Sequence, residues 1–362
     1  MGVRSSMHHQ IVMKRSSIDR SSSRVHMRYD YIFPLEYSFT MSSRSEVLVT
    51  GGCGFIGRHL VKDLLAHEYN VTVLDKSDSG MASFKNVKLV RGDVLDMDAV
   101  RTALGDARFV IHLAALIDAD DSTRNPLPYM ATNILGTKNV LHACAECDSV
   151  EKFVLASTAA VYGHGKRMPI CEDDELAPIS PYGQSKVVAE EHVRDFQRET
   201  GVNAIILRLF NVYGAGQNDR TNSYSGVITR FLEDLYNKRD LKIFGDGSQT
   251  RDFFNIADAV NAFRLALERS NVSGTFNIGT GLAISISQLA NKILELQKIT
   301  NKSEKLKIHF LPERAGDIRH SCPDISRASS VLGYTSTITL DRGLEELYRH
   351  GTAPVAPSIP QT

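Results

Sequence analysis

Val47-Leu48-Val49-Thr50-Gly51-Gly52-Cys53-Gly54-Phe55-Ile56-Gly57 is the stretch that decides the fold. A short β-branched run ends directly in glycines, and an amphipathic segment from Arg58 to Glu68 follows at once. Gly52-x-Gly54-x-x-Gly57 satisfies a dinucleotide fingerprint, and Gly51-x-x-Gly54-x-x-Gly57 satisfies its shorter variant. Glycine here permits the tight turn, lets the backbone approach a pyrophosphate and allows the helix to pack closely on the strand. The helix N-terminus then offers unpaired N–H groups and the positive end of its dipole to phosphate. A glycine loop alone is weak evidence, but here strand, loop and helix come in the required order. Asp75 closes the next strand-like run, Val71–Leu74. A carboxylate there accepts bonds from the adenosine ribose hydroxyls and repels a 2′-phosphate, which favours NAD over NADP. Lys76 beside it works against that preference.

Outward from this unit, strand-like runs alternate with helical ones: Val87–Val90, Phe109–Leu113, Phe153–Leu155 and Ala204–Leu207, with Val187–Glu199 amphipathic between the last two. Such alternation implies βαβ units, a parallel sheet and right-handed crossovers that place helices on both faces. After Tyr213 the alternation loosens. The expected fold is α/β: a Rossmann-type doubly wound parallel sheet with a smaller C-terminal α/β unit for the substrate. The dinucleotide domain is expected over 46–211, with 240–268 returning to it. The substrate domain is expected over 212–239 and 269–350, and 351–362 as a tail.

Residues 1–45 hold eleven serines, seven Lys+Arg and three acidic residues, without a clear period. A disordered tail, an over-extended start with Met41 as the true initiator, and an organellar leader all fit that composition. Lys+Arg and Asp+Glu both number 42 in the 362 residues. The balance gives no electrostatic case for nucleic acid or an anionic membrane. No apolar run reaches the ~20 residues of a bilayer span. Five scattered cysteines do not make a disulfide framework. Cys144-x-x-Cys147 has no second pair at metal spacing and falls on an apolar-periodic run, so both read as helix thiols and no metal is expected. The expected compartment is a reducing one, the cytoplasm.

Tyr182-Gly-Gln-Ser-Lys186 opens a helical stretch and puts Tyr182 and Lys186 on one face. Ser157 and Thr158 end the preceding strand at the sheet edge where open α/β folds bind ligands. A tyrosine phenol titrates near ~10, and bringing it to ~7 takes about 4 kcal/mol. A neighbouring ammonium and a positive nicotinamide both favour the phenolate.

With these motifs the chain resembles the extended short-chain dehydrogenase/reductases. The resemblance also rests on Gly92-Asp93-Val94, His112-Leu113-Ala114-Ala115, Asn133–Thr137, Arg208–Gly214, Gly245–Asp252 and Arg314–Asp317, and it spans Glu46 to Tyr348. It is most similar to the nucleotide-sugar epimerase branch, typified by UDP-glucose (UDP-galactose) 4-epimerases. The resemblance implies a cofactor site of Gly51, Gly54, Phe55, Ile56, Gly57, Asp75, Asp93, Val94, Leu113, Ala114, Ala115, Asn133, Ser157, Tyr182 and Lys186. Asp93 would hold the adenine, and Ala114 and Ala115 would line the nicotinamide ribose. It implies a catalytic set of Thr158, Tyr182 and Lys186. Asn211, Arg251 and Arg314 would meet the sugar diphosphate, for which a guanidinium fork suits two oxygens at once. A homodimer through the helices carrying Asn133–Cys147 and Val187–Glu199 is implied as well.

Related dehydratases and decarboxylases carry an acid where Ala159 or Ala160 stands. Dehydration needs a second acid for its leaving hydroxyl, and alanine has no proton to give. That leaves a single proton-and-hydride exchange at one carbon, and the resemblance implies inversion at C4 of a UDP-hexose through a 4-ketose, with NAD regenerated. Phe253 replaces a tyrosine common beside the Arg251-Asp252 pair. Ser321 stands where glucose-restricted relatives carry a bulky tyrosine, so UDP-N-acetylglucosamine is expected to fit beside UDP-glucose. Another nucleotide-sugar modifying enzyme, such as an oxidoreductase or a UDP-glucuronate epimerase or decarboxylase, and a non-catalytic NAD-binding regulator are the alternatives.

Overall fold

The computed structural model describes residues 45–81, 84–217, 226–300, 306–314 and 316–349. The terminal segments 1–44 and 350–362 lie outside the described residues, and with them nearly all of the leader and the C-terminal tail. The first half runs β1 (Glu46–Thr50), α1 (Phe55–Ala66), β2 (Asn70–Asp75), β3 (Val87–Arg91), α2 (Met97–Leu104), β4 (Phe109–His112), α3 (Ala119–Arg124), α4 (Pro126–Met130), α5 (Gly136–Ala145), β5 (Lys152–Thr158), α6 (Pro181–Thr200) and β6 (Asn203–Leu209). The second half runs β7 (Asn211–Tyr213), α7 (Val227–Tyr236), β8 (Leu241–Phe244), β9 (Thr250–Asn255), α8 (Ile256–Glu268), β10 (Gly274–Ile278), β11 (Ala283–Ser285), α9 (Ile286–Glu295), β12 (Ile308–Leu311), β13 (His320–Ser321) and α10 (Leu340–Arg349).

Seven parallel strands form the main sheet in the order β10-β6-β5-β4-β1-β2-β3. Its inner strands are buried on both faces, which is why they read as apolar runs rather than alternations. Leu60, Val61 and Leu64 of α1 pack with Ala259 and Phe263 of α8 against one face. Val100 of α2, Val140 and Leu141 of α5, and Ala189 and Val193 of α6 cover the other. A third core joins Phe231 of α7, Leu241, Leu289 of α9 and Leu344 of α10. Beside it lie a small sheet around β9, which pairs with β7, β11 and β13, and the parallel pair β8–β12.

Two segments differ from the expected division. Of 240–268, only α8 returns to the main sheet; β8 and β9 pair in the smaller sheets. Gly274–Ile278, expected in the substrate unit, is the edge strand of the main sheet and pairs with β6. Both differences are long-range pairings that local periodicity does not encode. Cys144 is buried in α5 as expected, while Cys147 lies just beyond its end and is half-buried. Among the described residues no helix is long and apolar enough to cross a membrane.

Candidate functional site

One cleft of about 1380 Å³ opens along the C-terminal ends of the main strands. Its size exceeds the ~300–1,000 Å³ of ordinary single-ligand pockets, so it has room for a dinucleotide and a second ligand. Gly51 sits at φ +72°, and a Cβ there would come within 2.7 Å of the Ala114 nitrogen. At Gly57 a Cβ would lie 2.3 Å from the Gly51 oxygen, so β1 and α1 can meet only through glycine. Gly54 caps α1 without a side-chain bond, leaving the helix N-terminus open to an anion. Asp75 ends β2, and its two oxygens accept from Cys53 N–H at 2.9 Å and Ser77 N–H at 3.0 Å. Each oxygen keeps a lone pair for a ribose hydroxyl. Lys76 turns to Asp93 instead, at 3.0 Å. Burial pushes the Asp93 carboxyl up, but the Leu95 N–H and Lys76 more than offset it, so it lies below the usual range. Bare glycine turn, uncapped helix and ribose-ready carboxylate fit NAD.

The expected catalytic positions lie on β5 and α6. Thr158 ends β5, and its Oγ1 accepts from Ala160 N–H at 3.2 Å, capping a short helical turn. Ser180 caps α6 through Gly183 N–H at 3.1 Å, and Pro181 occupies the first turn. Tyr182 follows, its N–H donating to Ser122 Oγ at 3.1 Å and its carbonyl accepting from Ser185 Oγ at 2.7 Å. Lys186 is one turn on and 3% exposed. Burial pushes its ammonium down to about 8, against the pull of Glu190. Among the described residues no hydrogen-bond acceptor engages that ammonium, and Lys186 lines the cleft with Tyr182, Ser157 and Thr158.

The smaller sheet supplies the opposite wall. Register pairs Asn211 with Phe253 and Ser321 with Arg251, which gathers four expected substrate-side positions on adjacent strands. Asn211 Nδ2 donates to the Asp252 carbonyl at 2.9 Å. Arg251 is held by Asp317 at 2.6 Å. Arg314 lies 3.6 Å over the Phe244 ring and 4.0 Å from Asp120 of α3. The buried Asp252 carboxylate accepts from Thr280 and Gly281 N–H groups, tying β9 to the segment after β10.

Phe55, Ile56, Val94, Leu113, Ala114 and Ala115 all line the cleft, as do Arg251, Arg314 and Ser321. Asn133 does not. It is buried behind the wall, where its amide bonds both Leu116 N–H and C=O and the Ser185 hydroxyl. Its neighbour Thr132 reaches the cleft instead, along a stretch of π-helix at Ala131–Leu135. Sequence reasoning missed Thr132, Gln217 and the apolar Phe231, Ile243 and Ile286 of the far wall. Only their strand and helix pairing, not a motif, brings them there.

Residues 47–279 match the model of the NAD dependent epimerase/dehydratase family. A putative UDP-glucose 4-epimerase of Methanocaldococcus jannaschii is 36% identical over 83% of this chain and 96% of its own length. Among solved structures, the UDP-N-acetylglucosamine 4-epimerase of Methanobrevibacter ruminantium in complex with UDP-N-acetylmuramic acid superposes with a TM-score of 0.78 at 31% identity, covering 84% of this chain and 97% of that one. The UDP-glucuronic acid 4-epimerase of Bacillus cereus, in complex with UDP-glucuronic acid and NAD, gives 0.75 at 33% identity over 84% and 98%.

Proposed function

Because the chain belongs to the NAD-dependent epimerase/dehydratase family, we propose that it inverts C4 of UDP-hexoses, taking UDP-glucose/UDP-galactose and UDP-N-acetylglucosamine/UDP-N-acetylgalactosamine. The observation that carries this reading is the pairing of Thr158, Tyr182 and Lys186 on one cleft wall with alanines, not acids, at 159 and 160. Bound NAD supplies a reversible two-electron sink at C4. Tyr182, as phenolate, takes the proton of the C4 hydroxyl and later returns it, while Thr158 hydrogen-bonds the same oxygen. Lys186 stabilises the phenolate and holds the nicotinamide ribose. Arg251 and Arg314 grip the diphosphate while the 4-ketose turns its other face to the cofactor. Asp317 must yield part of its hold on Arg251 for that grip to form.

Ser321 on the sugar side supports acceptance of a 2-acetamido group, since it is small and faces the cleft. A homodimer through α5 and α6 fits the half-exposed Leu135 at the head of α5. A cytoplasmic location rests on the sparse, odd cysteine usage. The test is proton NMR of purified protein with UDP-glucose, UDP-N-acetylglucosamine and UDP-glucuronate, without added cofactor. Growth of galacto-configured anomeric signals from the first two is the expected result. Turnover of UDP-glucuronate alone would move the assignment to a uronate epimerase, and silence even with NAD would overturn it.

A further inference from the structure

One turn behind Lys186, α6 buries a second charge that the mechanism above does not use. Glu190 is fully buried and takes four hydrogen bonds from three elements. Ser157 Oγ at the end of β5 donates to it at 2.6 Å, Arg208 of β6 donates through Nε at 2.9 Å and a terminal nitrogen at 2.7 Å, and Arg194 reaches in at 2.6 Å. Burial alone pushes such a carboxyl up, but Arg208, Ser157 and Arg194 more than reverse the push, so Glu190 is charged. Keeping an ion pair in a core is costly, and apolar replacements of the same shape are often as stable. The position of this one, between Ser157 and the helix face of Lys186, gives it a use.

The geometry points to Glu190 as a positioning residue: it fixes Ser157 at the cleft edge of β5 and supplies the counter-charge that holds Lys186 as an ammonium. This rests on the catalytic reading of Lys186 given above. Residues four apart on a helix have neighbouring side chains, so a carboxylate at 190 acts on 186 without direct contact. Other charged or titratable groups around the pair are accounted for. Arg208 and Arg194 are bound to Glu190 itself. Tyr162 is engaged by Arg208 and Asn277. His112 of β4 is driven down to about 3 by burial and is neutral. Asp121 of α3 accepts from Tyr129 of α4, and Tyr182 is the group Lys186 serves. Among these, Glu190 is the buried anion placed to favour the ammonium.

The experiment is a pH titration of the full-length, NAD-bound protein labelled with ¹³C at lysine Cε. The Lys186 signal is identified by its loss in Lys186→Met. Glu190→Gln keeps shape and an acceptor for Ser157 but removes the charge. The expected result is a downward move of the Lys186 midpoint by roughly one unit, a tenfold weaker proton affinity, restored by Glu190→Asp. An unmoved midpoint overturns the assignment. Where Glu190→Gln fails to fold because Arg208 is left unpaired, Arg194→Met leaves the buried pair intact but strips a cation from Glu190 and must raise the midpoint, and an unmoved midpoint there overturns the assignment as well. The alkaline limb of kcat is read in parallel. A shifted midpoint with an unshifted limb leaves Glu190 in this role and removes Lys186 from the chemistry, so the two readings fail separately.

Discussion

Lys152 and Lys186 stand near opposite ends of the same strand environment, one at the start of β5 and the other on α6 beside its end. Each is 3% exposed, and burial pushes each ammonium down to about 8. Their partners separate them. Lys152 Nζ donates to the carbonyls of Ala266 at 3.0 Å and Leu267 at 3.3 Å, and also to that of Arg269, closing the C-terminus of α8. A cation there meets the negative end of the helix dipole and the last unpaired carbonyls. Among the described residues Lys186 has no such acceptors, and it lines the cleft. A perturbed lysine is therefore no marker of chemistry by itself; an ammonium that no described acceptor engages, beside a tyrosine and a ligand-sized space, is the one proposed for it.

The strongest challenge to this contrast is exchanging each lysine for methionine. Lys186→Met should lower kcat roughly 10²- to 10⁴-fold with little change in melting temperature, measured by conversion of UDP-glucose in coupled or NMR assays. If the loss were matched by unfolding, the two lysines would be alike after all. The pH profile sharpens the point. On the proposed mechanism the Lys186 ammonium is present below its midpoint and lost above it, so kcat should fall about tenfold per unit above pH ~8. That limb should persist in Lys152→Met. A third variant probes the opposite wall: Ser321→Tyr should cost roughly tenfold on UDP-N-acetylglucosamine while sparing UDP-glucose, read from relative initial rates. Equal losses on both would detach Ser321 from the sugar. Smallest in turnover is Lys152→Met itself, which should leave kcat unchanged while lowering unfolding free energy by about 1–3 kcal/mol, seen as an earlier urea midpoint. A change of kcat in that variant would erase the distinction.

The site was more legible in the sequence than the division of the chain. The glycine loop, Asp75, Thr158, Tyr182 and Lys186 were read from short spacings on single elements and all line the one cleft, because such spacings survive in a string of letters. Lys186 and Glu190 are also one turn apart in sequence, yet nothing local says that Ser157 and Arg208 will converge on that carboxylate. Lys152 reads as an ordinary charged start to a strand until α8 is laid across it. Likewise, Gly274–Ile278 looks like any short strand, and only the exposed flank of β6 explains where it goes. Asn133 was readable as part of the cofactor region, but its place behind the wall follows from a widened helical turn that no residue pattern announces.

The late arrival of β10 has a consequence for how the chain is made. About 65 residues separate the end of β6 from the start of its edge partner. At ~5–20 residues per second, a ribosome needs roughly 3–13 s to deliver them. Throughout that interval the nascent main sheet presents β6 as an open edge, a surface that invites pairing with another chain. A holdase that shields this flank, or slow synthesis of the intervening segment, would therefore weigh on the yield of the protein in opposite directions.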